Sequence, residues 1–354
     1  STVGTATVNL LGGTITAKAN SQYAISGGYS QASSKYNATN VTINDSVRYD
    51  ALINPNATVS GNKQFVFDLA KESVIFNGNS FSGKDSDGKT ITGTHTESNR
   101  YFVRQSNNAV ATTNSIQLNN KISGTVNIEI DGINSSTVNS IYIPASTGIE
   151  KDVVLSLKNN NIVNNILYYT VANETSKKGQ ESNSTLKITS ASGDGSEEGK
   201  ITVIPTKGST DENGSVHYNA AIGGTDGQSG VTGLHIAGGT LIVEADTSND
   251  CSAIGGGGNG YAQILISGGY INAKNASTGA TIGGGVGYTA PGSGCDIEIT
   301  GGTIIAENTG KYKQAYIKPN GTKAWCYGVA IGGGSSYEQS SAGDIANVTI
   351  SGGN

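Results

Sequence analysis

The 354 residues contain no methionine, one tryptophan, five prolines and three arginines, Arg48, Arg100 and Arg104. With a net charge of −5 and so few guanidinium groups the chain has no basic face. Nucleic-acid binding is thereby excluded, and an anionic membrane surface is no natural partner. No apolar run is long enough to cross a bilayer, so no membrane insertion is expected, and Ser1 opens no signal peptide. The chain reads as mature or excised. Cys251, Cys295 and Cys326 cannot all pair with one another and show no Cys-x-x-Cys spacing, which points away from a disulfide framework or zinc site and toward small core residues. His95, His217 and His235 are equally scattered. With no pair at metal-ligand spacing and no serine or cysteine elbow beside them, they read as strand or surface histidines.

What the chain has in excess is glycine, 51 residues, placed in a repeat. Ala221-Ile222-Gly223-Gly224 returns as Ala253-Ile254-Gly255-Gly256, Thr281-Ile282-Gly283-Gly284 and Ala330-Ile331-Gly332-Gly333. A second signature alternates with it: Gly238-Gly239-Thr240-Leu241, Gly268-Gly269-Tyr270-Ile271, Gly301-Gly302-Thr303-Ile304 and the final Gly352-Gly353. Apolar/polar alternation such as Asp296-Ile297-Glu298-Ile299 links the two, so one unit is three short strands with glycine corners. Ile222, Ile254, Ile282 and Ile331 lie 32, 28 and 49 residues apart, the last interval holding an insertion between Asn308 and Tyr327. Stacking such units puts equivalent strands ~4.8 Å apart in parallel and makes the isoleucines an interior ladder. A propeller or sandwich needs antiparallel hairpin turns that these glycine corners do not supply. The expected fold is all-β, a parallel β-helix (solenoid) of about 30-residue coils with hairpin or loop insertions. We expect one elongated domain over 1–354, with irregular coils at 41–123 and regular coils at 125–354.

Residues 5–28 already hold the unit, in Thr7-Val8-Asn9-Leu10, Gly12-Gly13-Thr14-Ile15 and Ala24-Ile25-Ser26-Gly27-Gly28. From Val41 the spacing loosens, giving strands at 41–43, 65–67, 73–76 and 101–103 without a register. The run from Ser82 to Thr90 carries the turn dipeptide Asp87-Gly88 and predicts a hairpin projecting from the body. Asn159-Asn160-Asn161 suits a corner in left-handed backbone, with amides stacking on asparagines of adjacent coils. Ile162 to Val171 reads as strand over helix because Tyr168, Tyr169, Thr170 and Val171 favour strand. Since Asn354 follows a Gly-Gly that elsewhere leads into another strand, the natural polypeptide is expected to continue into further coils or a cap.

On these residues the chain resembles the right-handed parallel β-helix modules of large secreted and cell-surface proteins of Gram-positive, clostridia-like bacteria, in which Ala-Ile-Gly-Gly-Gly alternates with Gly-Gly-x-Ile-x-Ala. The likeness covers 218–354 and 1–28 closely and 41–217 in architecture alone. It implies an adhesin-like, carbohydrate-binding protein at the cell surface, partnered by a glycan or glycoprotein and by the rest of the same large polypeptide. Low charge and abundant Asn, Ser and Thr suit an exported chain.

β-Helices also host pectate lyases and polygalacturonases, whose chemistry needs calcium-binding carboxylates with a basic proton acceptor, or an Asn-Thr-Asp motif with paired aspartates. Neither pattern is present, and the arginines lie away from the regular coils. Asp194, Glu197, Glu198 and Asp211-Glu212 sit in loops and read as solvated corners or, in a polysaccharide-cleaving alternative, as an unfamiliar acid pair. Asp85-x-Asp87-Gly88 opens like a calcium loop, but Thr96 stands where the bidentate acid belongs, so calcium competes with a plain Asp-Gly turn.

The aromatics say more. Tyr261, Tyr288 and Tyr337 follow their Ala-Ile-Gly-Gly copies at seven, six and six residues beyond the isoleucine, which predicts a column on one edge. The insertion from Lys311 to Tyr327 reads as a hairpin around Pro319-Asn320-Gly321, bearing Tyr312, Tyr316, Tyr327 and the single tryptophan, Trp325. Flat aromatic faces match the apolar faces of sugar rings, and neighbouring Lys, Asn, Gln and Glu338 suit hydroxyls. The same residues also serve a purely mechanical reading, tyrosines stiffening the stack and Trp325 pinning the insertion. A non-enzymatic glycan-binding module is the preferred function; a pectin-type lyase or hydrolase, and a stalk or binder of a host protein such as an immunoglobulin or mucin, are the alternatives.

Overall fold

The computed structural model describes residues 6–10, 14–17, 29–30, 35–36, 39–43, 48–51, 58–61, 63–119, 121–144, 150–169, 183–205, 219–225, 230–245, 251–258, 260–286, 294–310, 313–317, 323–326, 328–335 and 346–354. No helix occurs among them, and the fold is all-β, dominated by sheets of ten, nine and six strands. Period-two burial makes the strands: in Lys151–Lys158, Val153, Leu155 and Leu157 are fully buried while Asp152 is exposed.

From Gly124 the chain enters the nine-stranded sheet, then the six-stranded, then the ten-stranded, and returns to the first one strand further along. Gly124–Asp131, Asn134–Ser135 and Ile141–Pro144 make one such round; Lys151–Lys158, Asn160–Val163 and Ile166–Tyr169 make the next. Pairings between these rounds are parallel. Ile166 pairs with Ile222, Ile222 with Ile254, Ile254 with Ile282 and Ile282 with Ile331, so the sequence copies are spatial neighbours. Of the segment Ile162 to Val171, Asn160–Val163 and Ile166–Tyr169 supply strands, while Thr170 and Val171 lie outside the described residues.

Within 41–123, where the sequence leaves the register open, the strands from Gln64 to Leu118 pair in register with the rounds that follow. Gln64–Asp68 pairs in parallel with Arg100–Arg104, which pairs with Gly124–Asp131, and Val74–Asn77 pairs with Ile116–Leu118. Arg100 and Arg104 thus belong to the nine-stranded sheet and are not remote from it. Nearer the N-terminus, Thr39–Ile43 lies between Ala6–Leu10 and Thr58–Gly61, and Thr14–Ala17 pairs with Arg48–Ala51. Ala24-Ile25 lies outside the described residues.

Two expectations change. The hairpin of Ser80–Lys84 and Thr90–Thr94 does not stand apart from the body: Ser80–Lys84 pairs antiparallel with Val74–Asn77 and the hairpin forms the end of the ten-stranded sheet. The cause is Phe81, 2% exposed, whose ring centroid lies 4.4 Å from that of Phe65 and 5.1 Å from that of Tyr101. The asparagine corner does adopt left-handed backbone, at Asn159 with φ 51°, but its amides do not stack on other asparagines. Asn159 donates to Asp131 Oδ1 at 2.6 Å, and buried Asn161 donates to the carbonyls of Lys158 and Lys200 while accepting from the Ile133 amide. One side chain thereby ties three rounds together, which an amide stack would not do.

The core changes character along its length. All five phenylalanines lie between Phe65 and Phe102, where Phe65, Phe67, Phe76 and Phe81 pack with Tyr101. Later rounds are aliphatic, with buried Leu, Ile, Val and Ala, and the ten-stranded sheet narrows to Ile-Gly pairs. Cys251 and Cys295 are buried, as small core residues. Tyr168 bridges rounds through its hydroxyl, which lies 2.6 Å from the Ser184 carbonyl and 2.8 Å from that of Thr232.

Close approach of the rungs explains the glycines of the Ile-Gly pairs. Gly283 has φ 140°, and a Cβ there would fall on the carbonyl oxygen of Gly332 in the next round. Gly78, with φ 59° and open space around it, is glycine for its turn alone. We therefore expect Gly283→Ala to cost more than about 3 kcal/mol in urea unfolding and Gly78→Ala about 1 kcal/mol.

Lys151 is an interior lysine, 1% exposed, whose ammonium donates to the Asn119 carbonyl at 3.1 Å. Burial pushes it down to about 8. Because the folded value lies below that of the unfolded chain, the fold resists the ammonium, and stability must rise as pH climbs from 8 toward the unfolded value. The buried Cys295 thiol, pushed up to about 11, works in the opposite sense above pH 9, so the clean window is pH 8 to 9. Chemical denaturation of wild type and Lys151→Met across that window isolates the lysine: wild type gains about 1 kcal/mol relative to the variant.

Candidate functional site

The insertion after Thr303–Asn308 is a hairpin. Lys313–Ile317 pairs antiparallel with Lys323–Cys326, Gln314 opposite Trp325 and Tyr316 opposite Ala324, with a bulge between Gln314 and Tyr316. It forms a two-stranded sheet of its own. Tyr312, Tyr327 and the side chains of Tyr316 and Trp325 lie outside what is described.

The base of this hairpin is defined in detail. Asn308, paired in register with Asn275 of the preceding round, accepts from the Gly310 amide at 2.9 Å and donates to the Gly279 carbonyl at 2.9 Å and the Val329 carbonyl at 3.4 Å. One amide therefore joins the outgoing limb, the returning limb and the round beneath. The Thr281 amide donates to the Val329 carbonyl, and the Thr281 hydroxyl to that of Glu307, which fixes both limbs from below. Asn275, fully buried, repeats the pattern: it accepts from Ser277 N–H and donates to the carbonyls of Cys251 and Ala280. A short polar side chain suits this task because it satisfies corner carbonyls that no strand can reach.

Of the predicted tyrosine column, only Tyr261 is described. It is half-buried, and its carbonyl accepts from the Val231 amide at 2.7 Å. Tyr288 and Tyr337 lie outside the described residues. Asp85 caps its own turn: Oδ1 accepts from the amides of Asp87 and Lys89, and Gly88 takes φ 79°. That is the Asp-Gly turn, with one Asp85 oxygen committed to the backbone. Asp87 is exposed, and no group of three or more His, Cys, Asp or Glu converges among the described residues.

Among the loop acids, Glu198 bonds the Ser192 hydroxyl and Asp194 binds Lys187 Nζ at 2.6 Å and the Thr189 hydroxyl at 2.8 Å. The Lys187 and Thr189 bonds hold the Asp194 carboxyl below the usual carboxylate range. Asp211 and Glu212 are outside the described residues, as is His217. His95 is buried, its Nδ1 2.7 Å from the Tyr101 hydroxyl and its Nε2 without a partner among the described residues; burial lowers its basicity.

The sequence holds no serine elbow beside a histidine, yet register brings a distant serine to His235. Its Nε2 stands 2.7 Å from Ser267 Oγ, in the following round. Lys187 is its register partner on one side and Leu265 on the other. The sequence separation of 32 residues hides the pair, but it equals about one coil of the repeat, which was the available signal.

No protein-family model, no curated protein and no solved structure matches the chain.

If Asn308 fixes both limbs of the insertion, Asn308→Ala leaves the Gly310 amide without its acceptor and removes the Asn308 donor from the Val329 and Gly279 carbonyls, the latter keeping Asn275. Amide hydrogen exchange is expected to speed at least tenfold at Gly310 and to rise at Thr281, whose amide donates to the Val329 carbonyl, while Ile254 and Ile282 keep their protection.

Proposed function

We propose that this chain is a right-handed parallel β-helix module of a secreted or cell-surface protein, and that it binds glycans through the hairpin that carries Trp325. The ordered passage through three sheets with parallel pairing supports the helical reading, and right-handedness follows from the strong bias of parallel crossovers.

The observation that carries the binding reading is the antiparallel hairpin, standing as a separate two-stranded sheet whose two limbs are tied to the stack by Asn308. A stack of parallel rungs has no structural need of such an insertion. Its composition, Tyr312, Tyr316, Trp325 and Tyr327 among Lys311, Lys313, Gln314 and Lys323, suits an aromatic platform for a sugar ring with cations for acidic glycans. Tyr261, Tyr288 and Tyr337 extend the same reading to the neighbouring edge.

A glycan array probed with wild type and Trp325→Ala tests it. We expect wild type to retain acidic glycans and the variant to lose at least tenfold in apparent affinity, with unchanged thermal unfolding. No retention by wild type, or equal retention by both, rejects the hairpin as the site.

A further inference from the structure

We propose that Ser267 and His235 form an acyl-transfer site, with Ser267 as nucleophile and His235 as general base, acting on short-chain carboxylate esters. The site is separate from the Trp325 hairpin: it lies where the nine-stranded sheet turns into the six-stranded one, whereas the hairpin lies between the six- and ten-stranded sheets.

The pair is assembled by the stacking itself. Ser267 follows Ala262–Ile266 and is exposed, while His235 stands on Val231–Ile236 of the preceding round, with Nε2 2.7 Å from Ser267 Oγ. The Ser267 amide donates to the Ile236 carbonyl, which fixes the serine backbone against the histidine strand. The loop bearing Asp194 closes on the same corner: the Gly195 amide donates to the Ala237 carbonyl at 2.7 Å, and Gly195 Cα lies 2.9 Å from where a Cβ of residue 268 would stand. Asp194 and Ser267 thus flank the His235–Ala237 segment, with Asp194 held by Lys187 and Thr189.

The charges suit a base. Burial, and secondarily the Lys187 ammonium, lower the imidazole below its ordinary value, with Asp194 opposing them, which favours the neutral ring that a base requires. Immediately after Ser267 come Gly268 and Gly269, both buried, whose amides donate to no acceptor among the described residues, and Gly269 has φ 87°. An N–H directly following the nucleophile is the usual donor to the oxyanion of an acyl intermediate. Half-buried Leu265, beside His235 in register, offers an apolar wall of the size a short acyl chain needs.

In the reaction, Ser267 Oγ bonds to the acyl carbon as its proton passes to His235 Nε2. The carbon–alkoxy bond then breaks, and the departing alcohol takes that proton. Water attacks the acyl-serine, giving a proton to Nε2. The Oγ–acyl bond breaks and Oγ recovers the proton, so ester and water become acid and alcohol.

The full chain, treated with a fluorophosphonate probe at pH 7.5 and mapped by peptide mass spectrometry, is expected to carry one adduct, on Ser267. Ser267→Ala abolishes it, and His235→Gln slows labelling at least 100-fold with thermal unfolding unchanged. Asp194→Asn removes the charge that opposes Lys187, so the pH midpoint of labelling moves lower. p-Nitrophenyl acetate gives a transient acetyl-Ser267. No adduct on Ser267, or labelling equally fast in His235→Gln, overturns the proposal; since both side chains sit at the surface corner and outside the core, neither substitution prevents the test by unfolding the chain.

Discussion

A carbonyl oxygen occupying the place of a side chain is the constraint on which the rest of this structure depends. At Gly223, Gly255 and Gly283 the carbonyl of the next round stands where a Cβ would be, so backbone lies directly on backbone. The ladder of amide bonds between rounds, Ile222 to Ala253, Gly224 to Gly255, Gly256 to Gly283 and Gly284 to Gly332, closes at that spacing. Alanine there would force adjacent rounds apart, and because each round bonds both neighbours the disturbance would not remain local. The Ile-Gly strand is only two residues long because it needs to do no more: isoleucine fills the interior and glycine lets the next rung settle.

With the spacing so fixed, variation is confined to the corners. Interior positions are mostly aliphatic, the exceptions being Tyr168 and the stretch Phe65–Phe102, where aromatic rings cluster and a hairpin extends the sheet beside them. Polar groups inside are admitted where a corner carbonyl awaits a donor: Lys151 at Asn119, Asn161 at Lys158 and Lys200, Asn275 at Cys251 and Ala280. These are substitutes for strand hydrogen bonds at points where the chain turns away from the sheet. Asn308 extends the same device outward, which is how a long insertion leaves and rejoins the stack without loosening it.

The isoleucine ladder was legible because equal residues at near-equal intervals have one economical arrangement, like beside like. The insertion hairpin was legible from Pro319-Asn320-Gly321, and the Asp85 turn from Asp87-Gly88. The register between Gln64 and Leu118 was not, since no signature repeats there. The placement of the Ser80–Thr94 hairpin depended on where Phe81 would find a cluster, a tertiary fact that a turn dipeptide does not encode. Asn159–Asn161 showed its backbone preference but not its partners, because Asp131 and the Lys200 carbonyl belong to rounds whose offsets differ.

His235 and Ser267 show the deeper reason that sites are harder to read than folds here. In a compact α/β enzyme a nucleophile is announced by a local turn, whereas in a parallel stack two side chains one coil apart meet through register alone. Any residue therefore has a potential chemical partner about thirty positions away, at an offset that changes with each insertion. Reading function in such a chain requires the pairing first and the motif second. The Lys187–His235–Leu265 column is a pattern only when three rounds are laid side by side.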